Sequence, residues 1–194
     1  MNPWNQITSL PNVDVLIDVG VGEGTQFLYD AFPDASLILV DPINQVKTDR
    51  DYTFFECAAS NTSGTVVLNV DADSINMHST YTRTPLTHST IKSSIDVECN
   101  TLDNLIIDKS KTFGLKVDTE GADLDVLQGS IELLKHCKWV ICEVSVLERF
   151  ENSYKFEDVI NFMKQQSFTV NSILSAFPDN QGRIRYLNVG FVNA

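Results

Sequence analysis

Short apolar runs bounded by turn residues recur along the chain, and stretches of helical period separate several of them. Val15-Leu-Ile-Asp-Val19 and Leu37-Ile-Leu-Val40 have the length and continuity of buried strands; the first carries one acid inside it and the second ends in Asp41-Pro42. Between them Phe27, Leu28, Ala31 and Phe32 form a stripe that predicts a helix over Thr25–Phe32, stopped by Pro33. Thr53–Ala58 predicts a third strand. Thr65–Val70 predicts another, with only the turn Ala59–Gly64 between them, so the strand–helix alternation breaks at this point. Ile95–Thr101 alternates and is expected to pair antiparallel with Thr65–Val70.

Further along, Leu102, Leu105 and Ile106 suggest a short helix capped near Thr101 or Asp103. A strand ending in Lys116-Val-Asp-Thr-Glu-Gly121 follows. A helix is expected over Ala122–His136, with Leu127, Ile131 and Leu134 facing the core. Trp139–Val144 predicts a fifth core strand, and Phe156, Val159, Ile160 and Met163 a helix. Phe168–Ile173 and Arg185–Val192 have no helix between them, which implies an antiparallel closing pair. Near the start, Trp4, Ile7 and Leu10 recur at helical spacing and suggest a short lid-like helix.

This succession describes an α/β protein with a doubly wound sheet, whose ligand crevice lies at the carboxyl ends of the strands beside the first. A length of 194 residues fits one domain over 1–194. Residues 1–12 form an arm. Residues 71–94 are polar, rich in Ser and Thr, and include Pro85, His78 and His88; they are read as a substrate loop.

Composition narrows the setting. Hydrophobic residues make up 43% of the chain, which argues for a packed core. The formal net charge of −12 gives no electrostatic footprint for nucleic acid or an anionic membrane. The four cysteines, Cys57, Cys99, Cys137 and Cys142, form no CxxC pair and have no His at ligand spacing, which argues against zinc. No basic segment precedes an apolar leader and no apolar run has membrane-spanning length, so a reduced cytoplasmic protein is expected.

The chemistry concentrates in two stretches. Gly20, Gly22 and Gly24 punctuate the turn after the first strand, together with Val21, Glu23 and Thr25. Such a turn lets a ligand lie against bare backbone and the N–H groups that open a helix. Glycine weakens regular structure by roughly 0.5–1 kcal/mol, so three together point to a ligand rather than to stability. Asp41, at the end of the second strand, is placed to accept hydrogen bonds from a ribose diol. The glycine spacing is GxGxG rather than the GxGxxG of nicotinamide sites, and Asp18 two residues before Gly20 favours S-adenosylmethionine over NAD. In the second stretch Lys116, Asp118 and Glu120 share a period-2 face at a strand end, and Glu143 stands near the end of the next strand.

These stretches resemble the FkbM-type methyltransferases, a class I S-adenosylmethionine-dependent family. The matching residues are Ile17-Asp-Val-Gly-Val-Gly-Glu-Gly24, Val40-Asp-Pro42, Ala58-Ala-Ser-Asn-Thr-Ser-Gly64, Thr101-Leu-Asp-Asn-Leu105, Leu115–Gly129 and Glu143-Val-Ser145. The block Lys116-Val-Asp-Thr-Glu-Gly121 followed by Leu127-Gln-Gly129 is the most particular of them. Where the family usually carries Ala-Asn in the first loop, this chain has Val21-Gly22-Glu23, and its second-strand acid is Asp41 rather than Glu.

The resemblance implies a Rossmann-like doubly wound seven-stranded sheet, with a small antiparallel strand insertion after the third strand. It implies methyl transfer to oxygen on a sugar, glycolipid or secondary metabolite. The expected roles follow. Gly20, Val21, Gly22, Gly24 and Thr25 hold the methionine end of S-adenosylmethionine, with Asp18 near its ammonium or ordering the loop. Asp41 and Pro42 meet the ribose side, and Cys57 and Ala58 flank the adenine. Asp118 or Glu120 is the base, Lys116 lowers their pKa or positions them, and His78 is a second candidate base. Asp118, Glu120 and Glu143 could instead hold a divalent cation. The competing class is an NAD-type nucleotide-binding protein or an inactive methyltransferase-like module, which needs the glycine turn and Asp41 but not the three carboxylates.

Overall fold

The computed structural model describes residues 3–72, 74–87 and 90–193. Three strands open the main sheet: β1 (Val15–Val19), β2 (Ser36–Val40) and β3 (Tyr52–Phe55), with helix α1 (Gln26–Ala31) between the first two. An inserted layer follows, made of β4 (Ala58–Ala59), β5 (Gly64–Asp71) and β6 (Ile91–Asn100). The chain then returns through α2 (Leu102–Leu105), β7 (Phe113–Val117), α3 (Asp123–Gln128), α4 (Ile131–Leu134), β8 (Cys137–Ser145), α5 (Phe156–Gln165), β9 (Phe168–Pro178) and β10 (Ile184–Asn193).

The main sheet has seven strands in the order β3-β2-β1-β7-β8-β10-β9. β1 is parallel to both β2 and β7, while β10 runs antiparallel to both β8 and β9. The chain order therefore reverses direction at β1, and the crevice between the carboxyl ends of β1 and β7 is the topological switch point. The expected doubly wound seven-stranded sheet and its antiparallel insertion are both present. β5 and β6 pair antiparallel in the register Thr65↔Glu98, Val66↔Val97.

Period-2 geometry sorts the core into two layers. Val15, Ile17 and Val19 face one cluster with Leu115, Val126, Leu134 and Met163, under α3, α4 and α5. Leu16 faces the other, with Leu28, Tyr29, Phe32, Leu39 and Trp139. The residues Pro3–Ser9 form a 3₁₀ helix whose Ile7 is buried in that second cluster, and the Trp139 indole N–H donates to the Pro11 carbonyl at 3.0 Å. This segment seals a face of the sheet rather than covering the crevice. The side chain of Trp4 lies outside the described residues.

Several boundaries differ from the sequence expectation. Thr53–Ala58 is not one strand: the chain leaves the main sheet after Phe55, and Ala58–Ala59 pairs with β6 instead. In α1 the buried positions are Leu28 and Tyr29, whereas Phe27 is exposed, because the Tyr29 hydroxyl finds a buried acceptor. The helix expected over Ala122–His136 divides at Gly129. That residue lies so close to the Ser60 carbonyl that a Cβ would collide with it, and Ile131 beyond the break is exposed. Asp103 caps the resumed turn, accepting from Glu132 N–H at 2.9 Å and Leu133 N–H at 2.7 Å, while Thr101 Oγ1 caps α2. Part of the stretch read as a loop, Ile91–Ser94, is the first half of β6. Cys57, Cys99, Cys137 and Cys142 are free and buried. Among the described residues no helix is long and apolar enough to cross a membrane.

Candidate active site

A cavity of about 450 Å³ opens at the carboxyl ends of β1, β2, β7 and β8, under the inserted layer. The glycine turn forms its floor. Gly20 and Gly22 adopt φ of 73° and 53°, conformations that a side chain resists. A Cβ on Gly20 would strike the Asp118 carbonyl, and one on Gly22 would strike Asn76 Oδ1. The turn is therefore held between two walls, and only glycine leaves it room. The parallel ladder carries on through it: Gly20 N–H donates to Val40 O and Asp118 N–H to Val19 O, both at 3.0 Å.

Asp41 stands at the rim of this turn. Its Oδ2 accepts from Gly22 N–H at 3.2 Å and its Oδ1 from Ile43 N–H at 2.9 Å. Each carboxylate oxygen keeps a further lone pair for a ligand hydroxyl. Burial raises the Asp41 carboxyl above its usual value, opposed by those backbone donors and by His78. Val21, Gly24, Thr25, Pro42 and Ala58 also line the cavity. Asp18 and Cys57 do not; both lie behind its wall, Asp18 fully buried beneath the turn and Cys57 in the core.

The second expected stretch comes together around Lys116. Its Nζ lies 2.9 Å from Asp18 Oδ1 and 3.6 Å from Asp118 Oδ2. The Tyr29 hydroxyl donates to the other Asp18 oxygen at 2.6 Å. Burial would discharge the Lys116 ammonium, but Asp18 and Asp118 outweigh it and hold its pKa above the usual value. Glu120 sits in the turn after β7 with φ of 52°, an uncommon conformation for a residue with a side chain. Three contacts hold it there. Ser79 Oγ–H donates to its carbonyl at 2.6 Å, and Arg149 and Arg83 reach its Oε2 at 2.7 and 3.1 Å.

Arg149 also pairs with Glu143 and stacks over Tyr186 at 4.1 Å, while Arg83 lies over Phe150 at 4.9 Å. Burial pushes the Glu143 carboxyl well above its usual value, the Asp118 and Glu120 charges add to the shift, and Arg149 opposes it. Oxygens of Asp118, Glu120 and Glu143 lie within 4.8 Å of one another, a spacing that a cation could bridge. In this structure Lys116, Arg83 and Arg149 already stand among those carboxylates. Of the three acids, Asp118 keeps the most accessible side chain, 31% exposed, and lines the cavity.

His78 faces the same cavity from the inserted loop. Its Nδ1 accepts the Asp71 N–H at 3.1 Å, so the neutral ring carries its proton on Nε2. Burial lowers its pKa, and Asp41 and Asp71 pull it back. The loop is well anchored. Tyr81 OH donates to Asp125 Oδ2 at 2.6 Å, and Thr84 N–H and Glu151 N–H tie it to the segment after β8. His88 lies outside the described residues.

The sequence reading missed Arg83 and Arg149, and also Asn76, Phe177, Tyr186 and Asn188 on the cavity wall. A lone arginine in a polar loop of an acidic chain was a signal for Arg83. For the others the spacing carried none, because they reach the site from strands and loops distant in the chain.

The reversed last strand, the glycine turn and the strand-end acid at the switch point together define the class I methyltransferase fold. The chain belongs to the methyltransferase FkbM domain family, whose model matches residues 16–170. It is similar to the magnesium protoporphyrin IX methyltransferase of Synechocystis PCC 6803, solved with bound SAM. The identity is 11% over 98% of this chain and 76% of that one, with a TM-score of 0.51. It is also similar to the Burkholderia thailandensis 1,6-didemethyltoxoflavin-N1-methyltransferase, at 10% identity over 99% and 78% of the two chains and a TM-score of 0.48. No curated protein sequence matches the chain.

Proposed function

We propose that the chain is an S-adenosylmethionine-dependent methyltransferase acting on a hydroxyl oxygen of a small-molecule or glycan acceptor, a sugar, glycolipid or secondary metabolite. The observation that carries this reading is the seat of Asp118. Its backbone touches the glycine turn, and its carboxylate opens into the cavity beside Lys116. A donor on the turn and an acceptor at Asp118 would meet within one cavity, as in-line transfer requires.

When bound, S-adenosylmethionine supplies an electrophilic sulfonium methyl. The chain's own residues do the rest. The N–H groups and bare backbone of Gly20 to Gly24 receive the methionine end, Asp41 accepts from the ribose, and Pro42 and Ala58 border the base. Asp18 acts from behind the turn, ordering it through Tyr29 and Lys116. Asp118 takes the proton of the acceptor hydroxyl, and Lys116 holds Asp118 in place. Glu120 is committed to two arginines, and His78 presents an N–H rather than a lone pair, so neither serves as the base.

A divalent cation is not required. The charges it would neutralise are met by Lys116, Arg83 and Arg149. The free, buried thiols suit a reducing cytoplasmic setting.

Isothermal titration with S-adenosylmethionine and with NAD tests the reading. Saturable heat with the first and none with the second is expected; tight NAD binding without S-adenosylmethionine heat overturns it.

A further inference from the structure

The sequence reading gives residues 71–94 of the insertion to the substrate, yet Asn76 and His78 from this stretch line the cavity together with Asp41 and Ala58. Ala58 and Ala59 on β4 and Leu68 on β5 are buried and form an apolar wall there. The 3₁₀ turn Ile75–Met77, capped by Ser74, brings Asn76 Oδ1 against Gly22. One residue further on, His78 shares the cavity with Asp41, and each group's charge acts on the other. Because Nδ1 is occupied by the Asp71 N–H, the ring offers its Nε2–H as a donor. A carboxylate that accepts and an imidazole that donates, beside an apolar wall, suit a vicinal diol next to a flat base.

We infer that His78, carried by the inserted layer, belongs to the cofactor site and donates from Nε2 to the ribose opposite Asp41, with Ala59 and Leu68 extending the wall that Ala58 forms beside the base. This rests on the S-adenosylmethionine reading given above. It assigns His78 to cofactor binding and leaves proton transfer to Asp118. The insertion is then needed before any acceptor arrives, and the acceptor enters from the side of β8, β9 and β10, where Phe177, Tyr186 and Asn188 line the cavity.

Two conservative variants separate the donor role from a structural one. His78→Asn keeps an acceptor close to the Nδ1 position for the Asp71 N–H but lacks the outer donor. His78→Gln keeps a donor close to the Nε2 position. Titration with S-adenosylmethionine and with 5′-methylthioadenosine, without acceptor, reads nucleoside binding alone. The expected result is about a tenfold weaker Kd for His78→Asn with both ligands, the size of one lost hydrogen bond, with His78→Gln restoring most of it. Both variants should melt within a few degrees of the wild type. If His78→Asn binds both ligands as the wild type does, the inference is overturned, including the case where only the acceptor KM rises. If the wild-type protein itself fails to bind S-adenosylmethionine, it is the functional reading that falls.

Discussion

Lys116 and Asp18 are direct neighbours across the β1–β7 ladder, and the ammonium of one lies 2.9 Å from the carboxylate of the other with both side chains buried. This pair joins the two strands whose carboxyl ends form the switch point. The Tyr29 hydroxyl completes the Asp18 shell from α1. Removing one member leaves an uncompensated buried charge, the costly case for an ion pair. Lys116→Met should lower stability by about 3–5 kcal/mol in urea denaturation, and adding Asp18→Asn should recover part of that loss. A loss below about 1 kcal/mol would show that the pair behaves as a surface bridge.

Gly20 carries positive φ and faces the Asp118 carbonyl. Gly20→Ala combines a left-handed backbone strain of roughly 1–2 kcal/mol with a steric clash against backbone. A lower Tm and lost S-adenosylmethionine heat are expected together. Normal binding would mean that the turn can shift without harm to the ligand site.

Asp118→Asn keeps the shape of the side chain and removes its basicity. Turnover should fall by about 10²- to 10⁴-fold, the usual share of general base catalysis, while the S-adenosylmethionine Kd stays unchanged. Unimpaired turnover would remove Asp118 from the mechanism.

Because guanidinium and ammonium groups already stand among the three carboxylates, turnover after EDTA treatment and dialysis should equal that with added Mg²⁺. Loss of activity restored by the metal would assign Asp118, Glu120 and Glu143 to a cation instead.

Alkaline pH should unfold this protein through its buried and half-buried phenols. Burial raises the pKa of Tyr29, Tyr81 and Tyr154, and pushes Tyr186 up to about 12. The unfolded chain releases these protons near pH 10 while the native state retains them, so stability falls as pH rises above 10. Phenolate absorbance should therefore appear in step with the loss of tertiary structure rather than before it. A full phenolate signal from the folded protein would contradict this.

Much of the fold was legible from the chain. Continuous apolar runs, helical stripes and the two helix-free strand junctions led to the doubly wound sheet, its closing pair and its insertion. Such patterns are local and each reports which face a residue buries. The glycine turn, Asp41 and the Lys116–Gly121 block were legible for the same reason, since backbone freedom and strand-end placement are written in short spacings. Local pattern failed where distant parts of the chain press on one another. Gly129 divides a helix because Ser60 lies against it, and Tyr29 rather than Phe27 turns inward because Asp18 waits beneath it.

How the charges divide is set by folding. The sequence placed Lys116, Asp118, Glu120 and Glu143 near one another but left their partners open. The fold brings Arg83 from the insertion and Arg149 from beyond β8 to bind Glu120, and sets Asp18 against Lys116. A carboxylate's role depends on which cation neutralises it and on how much water reaches it. Both are set by contacts between residues far apart in the chain, and no spacing along it encodes them.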